Sequence, residues 1–242
     1  MKAWTLLALL SVAGIALAEG TQAPVRFPAT AKVALDAEGV PQDVQANPRL
    51  PAPVREAIEQ RVKQWRFEPA LVDGVAMPGV THVRPQACAV PRADGSLNVG
   101  MDYLGNGPGY ADDALQLPRL PYPPAAMRSG AQANIDLTVR VGEDGHVTLQ
   151  SMKARRGSTK EFREAPEAWV AAMRYLPEEV DGRRIATRVR IPVEFHFAER
   201  SRRQESPLPA ARTPECMAAG GQAEEPVAPV ALDSPFRPRE AG

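Results

Sequence analysis

The chain has 242 residues, enough for one large domain or two small ones. Its 29 basic and 29 acidic side chains give a formal net charge of zero, so no overall electrostatic field attracts nucleic acid, and we expect no nucleic-acid partner. Apolar residues make up 44% of the chain and support a core, whereas 25 prolines and 18 glycines predict small folded units with long connections.

Residues 1–18 have the composition of a signal peptide. Lys2 is followed by an uncharged apolar run from Ala3 to Leu17, and small residues occupy positions 16 and 18. We expect cleavage after Ala18 and a mature protein in the periplasm. The alternative is an uncleaved inner-membrane anchor, but crossing the bilayer takes about 20 apolar residues, and this run is shorter.

Residues 24–85 have the pattern of strands followed by a helix. Alternation at 32–35 predicts a strand, and a turn at 36–39 separates it from a second extended segment. A helix is predicted from about Pro53, where the apolar residues fall on one stripe: Val54, Ala57, Ile58, Val62 and Trp65.

Residues 86–118 are expected to connect two folded units. A turn at 92–95 precedes a predicted strand at 97–104, and a glycine-rich run at 105–109 then breaks the chain. That run lacks the Lys-Ser or Lys-Thr that follows the glycines of a phosphate-binding loop, so we interpret it as a turn.

Residues 119–198 have the clearest pattern. Apolar residues alternate with polar ones at 134–141, an Asp-Gly turn follows, and the alternation resumes at Val147, which predicts a β-hairpin. A helix is expected to begin near Pro166, since proline costs almost nothing at the first helical position, and to end before Pro177. A last strand, from about Thr187 to Phe197, has an apolar face made of Val189, Ile191, Val193, Phe195 and Phe197.

Two matches between these regions fall at one offset. Arg66-Phe67-Glu68-Pro69 aligns with Arg174-Tyr175-Leu176-Pro177, and Asp73-Gly74 aligns with Asp181-Gly182, which favours an internal repeat. The sequence therefore predicts an α+β protein of two small units, each an antiparallel sheet plus a helix in β-β-α-β order.

Residues 199–242 are rich in Arg, Glu, Pro and Ala. This composition has too little apolar surface to offset an ordering entropy of about 1 to 2 kcal/mol per residue, so we predict a mostly disordered tail, although Val227 to Phe236 is apolar enough to dock as an extended segment. The two cysteines, Cys88 and Cys216, either form a disulfide in an oxidising compartment or remain two unpaired thiols.

Residues 122–197 combine a Tyr-Pro opening, a hairpin with a glycine turn, a glycine loop, a helix ending in Arg-Tyr-Leu-Pro and a last strand of the Val-Pro-Val-x-Phe kind. The residues that carry this pattern are Tyr122, Pro123, Gly145, Gly157, Arg174, Tyr175 and Pro177. Their order resembles the C-terminal domain of TonB, the periplasmic part of the energy transducer that serves outer-membrane transporters. Residues 24–85 resemble a degenerate second copy, which gives a tandem arrangement. In the family, the N-terminal helix contains a histidine that binds the inner-membrane motor, and a Pro-rich rod follows it. The apolar N-terminal run of this chain lacks that histidine, and no such rod follows it.

The resemblance implies that the last strand is the sheet edge on which the domain captures the short N-terminal box of a transporter. An edge presents unpaired N–H and C=O groups that an extended peptide completes, and it tolerates a proline. The expected partner-binding residues are Arg188, Arg190, Pro192, Glu194 and His196. The alternative is that Arg188, Arg190 and Glu194 protect the edge from pairing.

No catalytic pattern is found in the sequence. The histidines His82, His146 and His196 have no metal-ligand spacing, and Glu178 and Glu179 are interpreted as surface charge, so we expect no enzyme activity, metal, cofactor or small-molecule substrate. The expected function is binding of a transporter box peptide or another envelope protein by edge-strand addition. The alternative is an atypical membrane-anchored energy transducer for TonB-dependent transporters.

Overall fold

The computed structural model describes residues 23–196, 211–220 and 228–239. The predicted signal peptide and Phe197 lie outside these ranges. In the part of the chain that is described, no helix combines the length and the apolar character needed to cross a membrane.

The first half of the chain has strands on both sides of one helix, with more strands than the predicted β-β-α-β order. Its elements are β1 (Val25–Pro28), β2 (Ala31–Leu35), β3 (Pro41–Ala46), α1 (Ala52–Val62), β4 (Phe67–Glu68), β5 (Ala70–Val72), β6 (Val75–Met77), β7 (Gly79–Pro91), β8 (Leu97–Gly107) and β9 (Gly109–Tyr110). Helix α1 buries Val54, Ile58 and Val62, three members of its predicted apolar stripe. Trp65 lies beyond the end of this helix.

Strand β7 is the centre of the first sheet. On one side it pairs antiparallel with β2 and β1, on the other with β8, and β3 adds to β2. Residues 86–118 are therefore more than a connection, because they supply the end of β7 and all of β8. The turn between these strands has Gly95 at a φ of 80°, a left-handed conformation that favours glycine and permits a tight hairpin.

The second half contains a second sheet and its helix. Its elements are α2 (Pro124–Ser129), β10 (Ala133–Val141), β11 (Val147–Arg156), a 3₁₀ turn (Lys160–Phe162), α3 (Glu164–Ala172), β12 (Tyr175–Leu176), β13 (Glu178–Val180), β14 (Arg183–Ile185) and β15 (Thr187–Phe195). The predicted hairpin is confirmed as β10 and β11, and β15 pairs antiparallel with β10 over its whole length.

Helix α3 begins and ends earlier than predicted. Its first residue is Glu164, so Pro166 occupies the first turn, where backbone N–H groups have no partner within the helix and a missing donor costs little. The helix ends at Ala172 rather than just before Pro177. Tyr175 and Leu176 have already left it, because they pair as β12 with β9.

The second half also contributes a hairpin to the first sheet. Strand β13 pairs with β14 and, through Glu179 and Val180, with the start of β7. The turn residues Asp181 and Gly182 have φ values of 50° and 71°, as a two-residue hairpin turn requires. The predicted boundary between 24–85 and 119–198 therefore does not separate the two sheets.

Each sheet covers its own apolar cluster, and the two tryptophans differ in their burial. Trp169 is 9% exposed inside the second cluster, and its Nε1–H donates to the Pro118 carbonyl at 3.1 Å. Trp65 is only partly buried at the margin of the first cluster, edge-on to Tyr103 with ring centroids 5.4 Å apart. Trp169 is therefore a core residue, whereas Trp65 keeps part of its ring in solvent.

Both halves share one junction between the hairpin turn and the segment after the helix. The Phe67 N–H donates to the Gly39 carbonyl at 2.9 Å, and the Tyr175 N–H donates to the Gly145 carbonyl at 3.0 Å. The two glycines have φ values of 80° and 79°, and a Cβ on either would strike the opposite backbone. This common geometry favours the internal repeat, which stays a prediction.

Two described stretches of the tail are folded, where we expected disorder for most of 199–242. Helix α4 (Pro214–Ala218) lies against β7 and β8, and its Cys216 forms a disulfide with Cys88, with Cα atoms 5.0 Å apart. Residues 228–239 form two short strands, β16 (Val230–Ala231) and β17 (Arg237–Pro238). A disulfide and strand pairing with the body supply this order. The docking of residues 228–236 agrees with the expectation for the apolar stretch of the tail, whereas the order of α4 was not expected.

Candidate functional site

The candidate site is the outer edge of β15. On its inner side, β15 is hydrogen-bonded to β10 from Thr187 to Phe195. Its side chains alternate as predicted, with a buried set made of Val189, Ile191, Val193 and Phe195 and an exposed set made of Arg188, Arg190 and Glu194. The strand is therefore fixed by its core face and leaves its polar face to solvent.

Every second residue of β15 directs its backbone groups away from β10. The N–H and C=O of Arg188 face outward, because both bind residues of the C-terminal tail. By the two-residue alternation of a strand, the backbone groups of Arg190, Pro192 and Glu194 face the same way. These four residues form the row of main-chain groups that an extended peptide would complete.

A segment of the chain's own C-terminus already lies on this edge. Strand β16 runs antiparallel to β15, with Val230 opposite Arg190. The Leu232 N–H then donates to the Arg188 carbonyl at 2.8 Å. The edge that we predicted to be exposed is thus occupied over its first half, because the apolar stretch of the tail supplies a strand.

Asp233 continues the contact with a side chain instead of a main-chain group. Its Oδ1 accepts the backbone N–H of Arg188 at 2.6 Å, and its Oδ2 accepts the Arg188 Nε–H at 2.8 Å. Both hydrogen bonds are charge-assisted on the acceptor side, which makes them stronger than neutral ones. Arg188 therefore holds an acidic side chain on the outer edge of the sheet.

Pro192 marks the point where this pairing stops. It lacks the outward N–H that the next antiparallel pair would use, and the ladder ends at Arg190. Of the described residues, none forms a strand on the outer side of Ile191–Phe195. That part of the edge offers the Pro192 carbonyl and the N–H and C=O of Glu194.

The last two predicted side chains contact residues of the second sheet and the segment before it. Glu194 Oε1 lies 3.4 Å from Asn134 Nδ2 and 3.9 Å from Arg155 Nη2. The His196 Nδ1 atom lies 3.3 Å from Gln132 Oε1. The structure therefore brings Arg188 and Arg190 together with the tail, whereas Glu194 and His196 lie at the other end of the strand.

Past Asp233, the tail enters a buried polar network around Glu178. The hydroxyl groups of Ser234, Thr81 and Thr187 donate to the Glu178 carboxylate at 2.7, 2.6 and 3.1 Å. Burial raises the pKa of this carboxyl above its usual value, and the three hydroxyl donors act in the opposite direction. The interpretation of Glu178 as surface charge is wrong, because β13 lies between β7 and β14 and buries every second side chain.

Phe236 anchors the tail in the first sheet. Its side chain is 1% exposed and belongs to the first apolar cluster. The ring lies over Gly79, where a Cβ would strike it, and Asn106 Nδ2 donates to the Phe236 carbonyl at 3.0 Å. Beyond it, β17 pairs with β4, with Arg237 opposite Glu68. The segment 228–239 therefore bridges both sheets.

Arg84 holds the start of the same segment. Its buried guanidinium donates to the carbonyl oxygens of Pro229, Pro108 and Asn106 at 3.3, 3.0 and 3.0 Å. Carbonyl acceptors suit a guanidinium, which has only donors to offer. Sequence reasoning missed this residue, because one arginine within a strand gives no sign of a contact with the tail 145 residues later.

The family-motif residues build the structure behind the edge. The Tyr122 ring packs edge-on against Phe195 and Phe162, with centroids 5.6 and 6.0 Å away, and its hydroxyl donates to the Ala131 carbonyl. Pro123 immediately precedes α2. These contacts fix the Phe195 end of β15 from its buried side.

The other motif residues shape the turns around α3. Arg174 Nη1 donates to the carbonyl groups at the end of α3, and Tyr175 is buried in β12. Gly157 has a φ of 76°, and a Cβ there would strike the Gln132 backbone. Pro177 separates β12 from β13. None of these residues lies on the outer edge of β15.

No group of three or more His, Cys, Asp or Glu side chains within residues 23–196, 211–220 and 228–239 is placed to hold a metal ion. His82 is buried in β7 and lines a cavity of about 350 Å³ with Lys32, Tyr110 and Asp113. Burial, and then the charges of Arg84 and Lys32, lower the pKa of His82 to about 4, so its imidazole is neutral at neutral pH.

The comparison with protein families gives one match. Residues 118–197 match the family described as Gram-negative bacterial TonB protein C-terminal. The matched range runs from before α2 through β15 and includes the β13–β14 hairpin. No curated protein and no solved structure gives a match to the chain. Residues 118–197 therefore form a domain of the TonB C-terminal family.

Proposed function

We propose that the protein is a periplasmic binding module that takes up an extended peptide as an added strand on the outer edge of β15. The observation that supports this most strongly is β16, an extended segment paired antiparallel with that edge. An edge that pairs with one extended segment has the twist and the free backbone groups to pair with another. The partner is the N-terminal box of an outer-membrane transporter or a comparable peptide of another envelope protein.

The strength of such binding depends on side chains. About four backbone hydrogen bonds at about 1 kcal/mol each correspond to a Kd on the order of millimolar. Arg188 can add charge-assisted hydrogen bonds to an acidic side chain of the peptide, as it does to Asp233. We therefore expect a peptide that combines an extended backbone with an acidic residue to bind more tightly than an apolar one.

The location of the protein follows from the composition of residues 1–18, which supports export. We place the mature chain in the periplasm, cut after Ala18. The mass of the natively expressed protein tests this directly. A chain that keeps its first eighteen residues and stays in the inner membrane would contradict the proposal and favour the anchored transducer.

Two substitutions at Arg190 test the binding mode. Its backbone N–H faces outward, so Arg190→Pro removes a donor of the edge without removing a hydrogen bond to β10. Arg190→Ala keeps the backbone and is expected to cost at most about 1 kcal/mol of binding. We expect the proline variant to lose binding of a labelled transporter box peptide, while melting curves show that both variants are folded.

Two outcomes would count against the proposal. A folded Arg190→Pro variant that binds the peptide as tightly as the wild type would place the peptide on another surface. If the peptide bound neither the wild type nor the Asp233→Ala variant of the tail, β15 would be a structural edge only.

A further inference from the structure

We propose that residues 228–239 are an intramolecular ligand of the peptide-binding edge, and that a partner peptide binds by displacing Val230 to Asp233. This inference rests on the proposed function of β15. The chain's own tail competes with the partner, and the partner carries an acidic side chain in the place of Asp233.

The part of the edge on which none of the described residues forms a strand is too short to serve a peptide alone. Outside the paired region, the outward backbone groups are the Pro192 carbonyl and the N–H and C=O of Glu194, and the proline interrupts the row of donors. The groups that complete a longer ladder belong to Arg188 and Arg190, and the tail already pairs with both residues. A partner and the tail therefore compete for the same atoms.

In the first sheet, an edge strand that pairs in a comparable way is a permanent part of the fold. Strand β7 accepts β13 at Gly79 and Val80, on the side opposite β2, much as β15 accepts β16 on the side opposite β10. Strand β13 is part of a hairpin closed by β14, and it buries Glu178 completely. A strand that is built into the sheet in this way cannot be exchanged without unfolding the hairpin.

The tail strand is held more loosely than β13. Strand β16 is two residues long, and the side chains next to the edge remain exposed, at 39% for Val230 and 42% for Leu232. The ion pair of Arg188 and Asp233 is also partly open to solvent. Short pairing and partly hydrated side chains are features of segments that open locally while the rest of the fold persists.

The displacement of Val230 to Asp233 would be reversible because Phe236 keeps the tail attached. Its buried ring keeps the end of the segment attached to the first sheet while Val230 to Asp233 leave the edge. A tethered competitor has an effective concentration in the millimolar range, so it weakens the binding of a free peptide without abolishing it. With a free-peptide Kd on the order of 0.1 mM, the expected weakening is about tenfold.

The test uses the full mature chain and a labelled peptide that copies residues 228–239. Asp233→Ala loosens the tail and leaves every atom of β15 unchanged. Glu143→Ala is the matched control, since Glu143 is an exposed acid in the turn before β11. We expect the Asp233→Ala chain to bind the peptide about tenfold more tightly than the wild type, the Glu143→Ala chain to bind like the wild type, and the melting curves of all three to show folded protein.

A second peptide and a second variant complete the design. The copy peptide with alanine in the place of Asp233 is expected to lose most of its affinity for the Asp233→Ala chain. The double variant Asp233→Ala/Phe236→Ala releases the tail further and is expected to bind the unaltered copy peptide at least as tightly, if it folds. Equal affinity of the wild type and the Asp233→Ala chain, absence of binding to both, or equal affinity for both peptides would overturn the inference.

Titration of a transporter box peptide against the same chains separates this inference from the proposed function. Binding of the copy peptide in the expected pattern, without binding of the box peptide, would support the tail as an intramolecular ligand and reject the transporter as partner. Equally tight binding of the box peptide to the wild type and the Asp233→Ala chain would support the proposed function and reject competition by the tail.

Discussion

Replacing Trp169 with alanine is expected to destabilise the protein more than the same change at Trp65. The Trp169 side chain is 9% exposed, packs in the second apolar cluster and donates a hydrogen bond to the Pro118 carbonyl. A tryptophan truncated to alanine in a core costs about 3 to 5 kcal/mol, and this includes the lost contacts, the cavity and the hydrogen bond.

Trp65 provides the matched comparison. It is partly buried at the margin of the first cluster, with an edge-on contact to Tyr103. Because part of its ring is already in water, we expect a loss of about 2 kcal/mol, roughly half of the loss at Trp169. Trp169→Phe keeps an apolar ring and loses the N–H donor, so we expect the free energy of unfolding to fall by about 1 to 2 kcal/mol, less than for Trp169→Ala.

Urea unfolding followed by far-ultraviolet circular dichroism measures these differences without relying on tryptophan fluorescence. With an m value of about 2 kcal/mol per molar urea, the midpoint should fall by roughly 2 M for Trp169→Ala and by about 1 M for Trp65→Ala. Equal shifts, or a larger shift for Trp65→Ala, would refute the reasoning from burial.

Three further predictions concern the covalent link, pH and one turn. Replacing both Cys88 and Cys216 with alanine should lower the free energy of unfolding by about 3 to 5 kcal/mol, since the disulfide joins residues 128 apart. An unchanged urea midpoint, or two titratable thiols in the native protein, would argue against the disulfide. The folded-state pKa of His82 is lowered from 6.5 to about 4, so the unfolded chain binds its proton first, and stability should be lost as pH falls from about 6.5 to about 4, by up to roughly 3 kcal/mol. In thermal melts, His82→Phe should lose less stability than the wild type between these pH values. An identical pH profile of the two proteins would contradict the role of His82. Gly145→Ala should lower the melting temperature more than Gly182→Ala. Both glycines have positive φ, but a Cβ would strike a backbone oxygen only at Gly145. Equal melting temperatures of the two variants would contradict this steric difference.

The elements with strong local periodicity were predictable from sequence. The alternation of β10 and the Asp-Gly turn before β11 specify a hairpin, and the alternating β15 has the buried and exposed faces that the sequence predicts. The apolar stripe of α1 likewise identifies its buried face. In each of these elements, neighbouring residues carry the information.

The features that sequence reasoning missed depend on contacts distant in the chain. Nothing in β13 and β14 indicates that their hairpin pairs with β7, and burial of Glu178 follows from that pairing. The composition of the tail predicts disorder, but a disulfide at Cys216 and a socket for Phe236 hold two parts of it. The occupied edge of β15 could not be predicted either, since the register of Val230 on Arg190 depends on where the tail is anchored.

The outer edge of β15 is the peptide-binding site in the function proposed for this protein. The most direct test is amide mapping by nuclear magnetic resonance, in which a transporter box peptide is titrated into the full mature chain. We expect the amide signals of Arg188, Arg190 and Glu194 to shift together with those of Val230 to Asp233, because the peptide takes the place of β16. Shifts confined to other elements, such as β11, with the amides of β15 and β16 unchanged at saturating peptide, would contradict the claim.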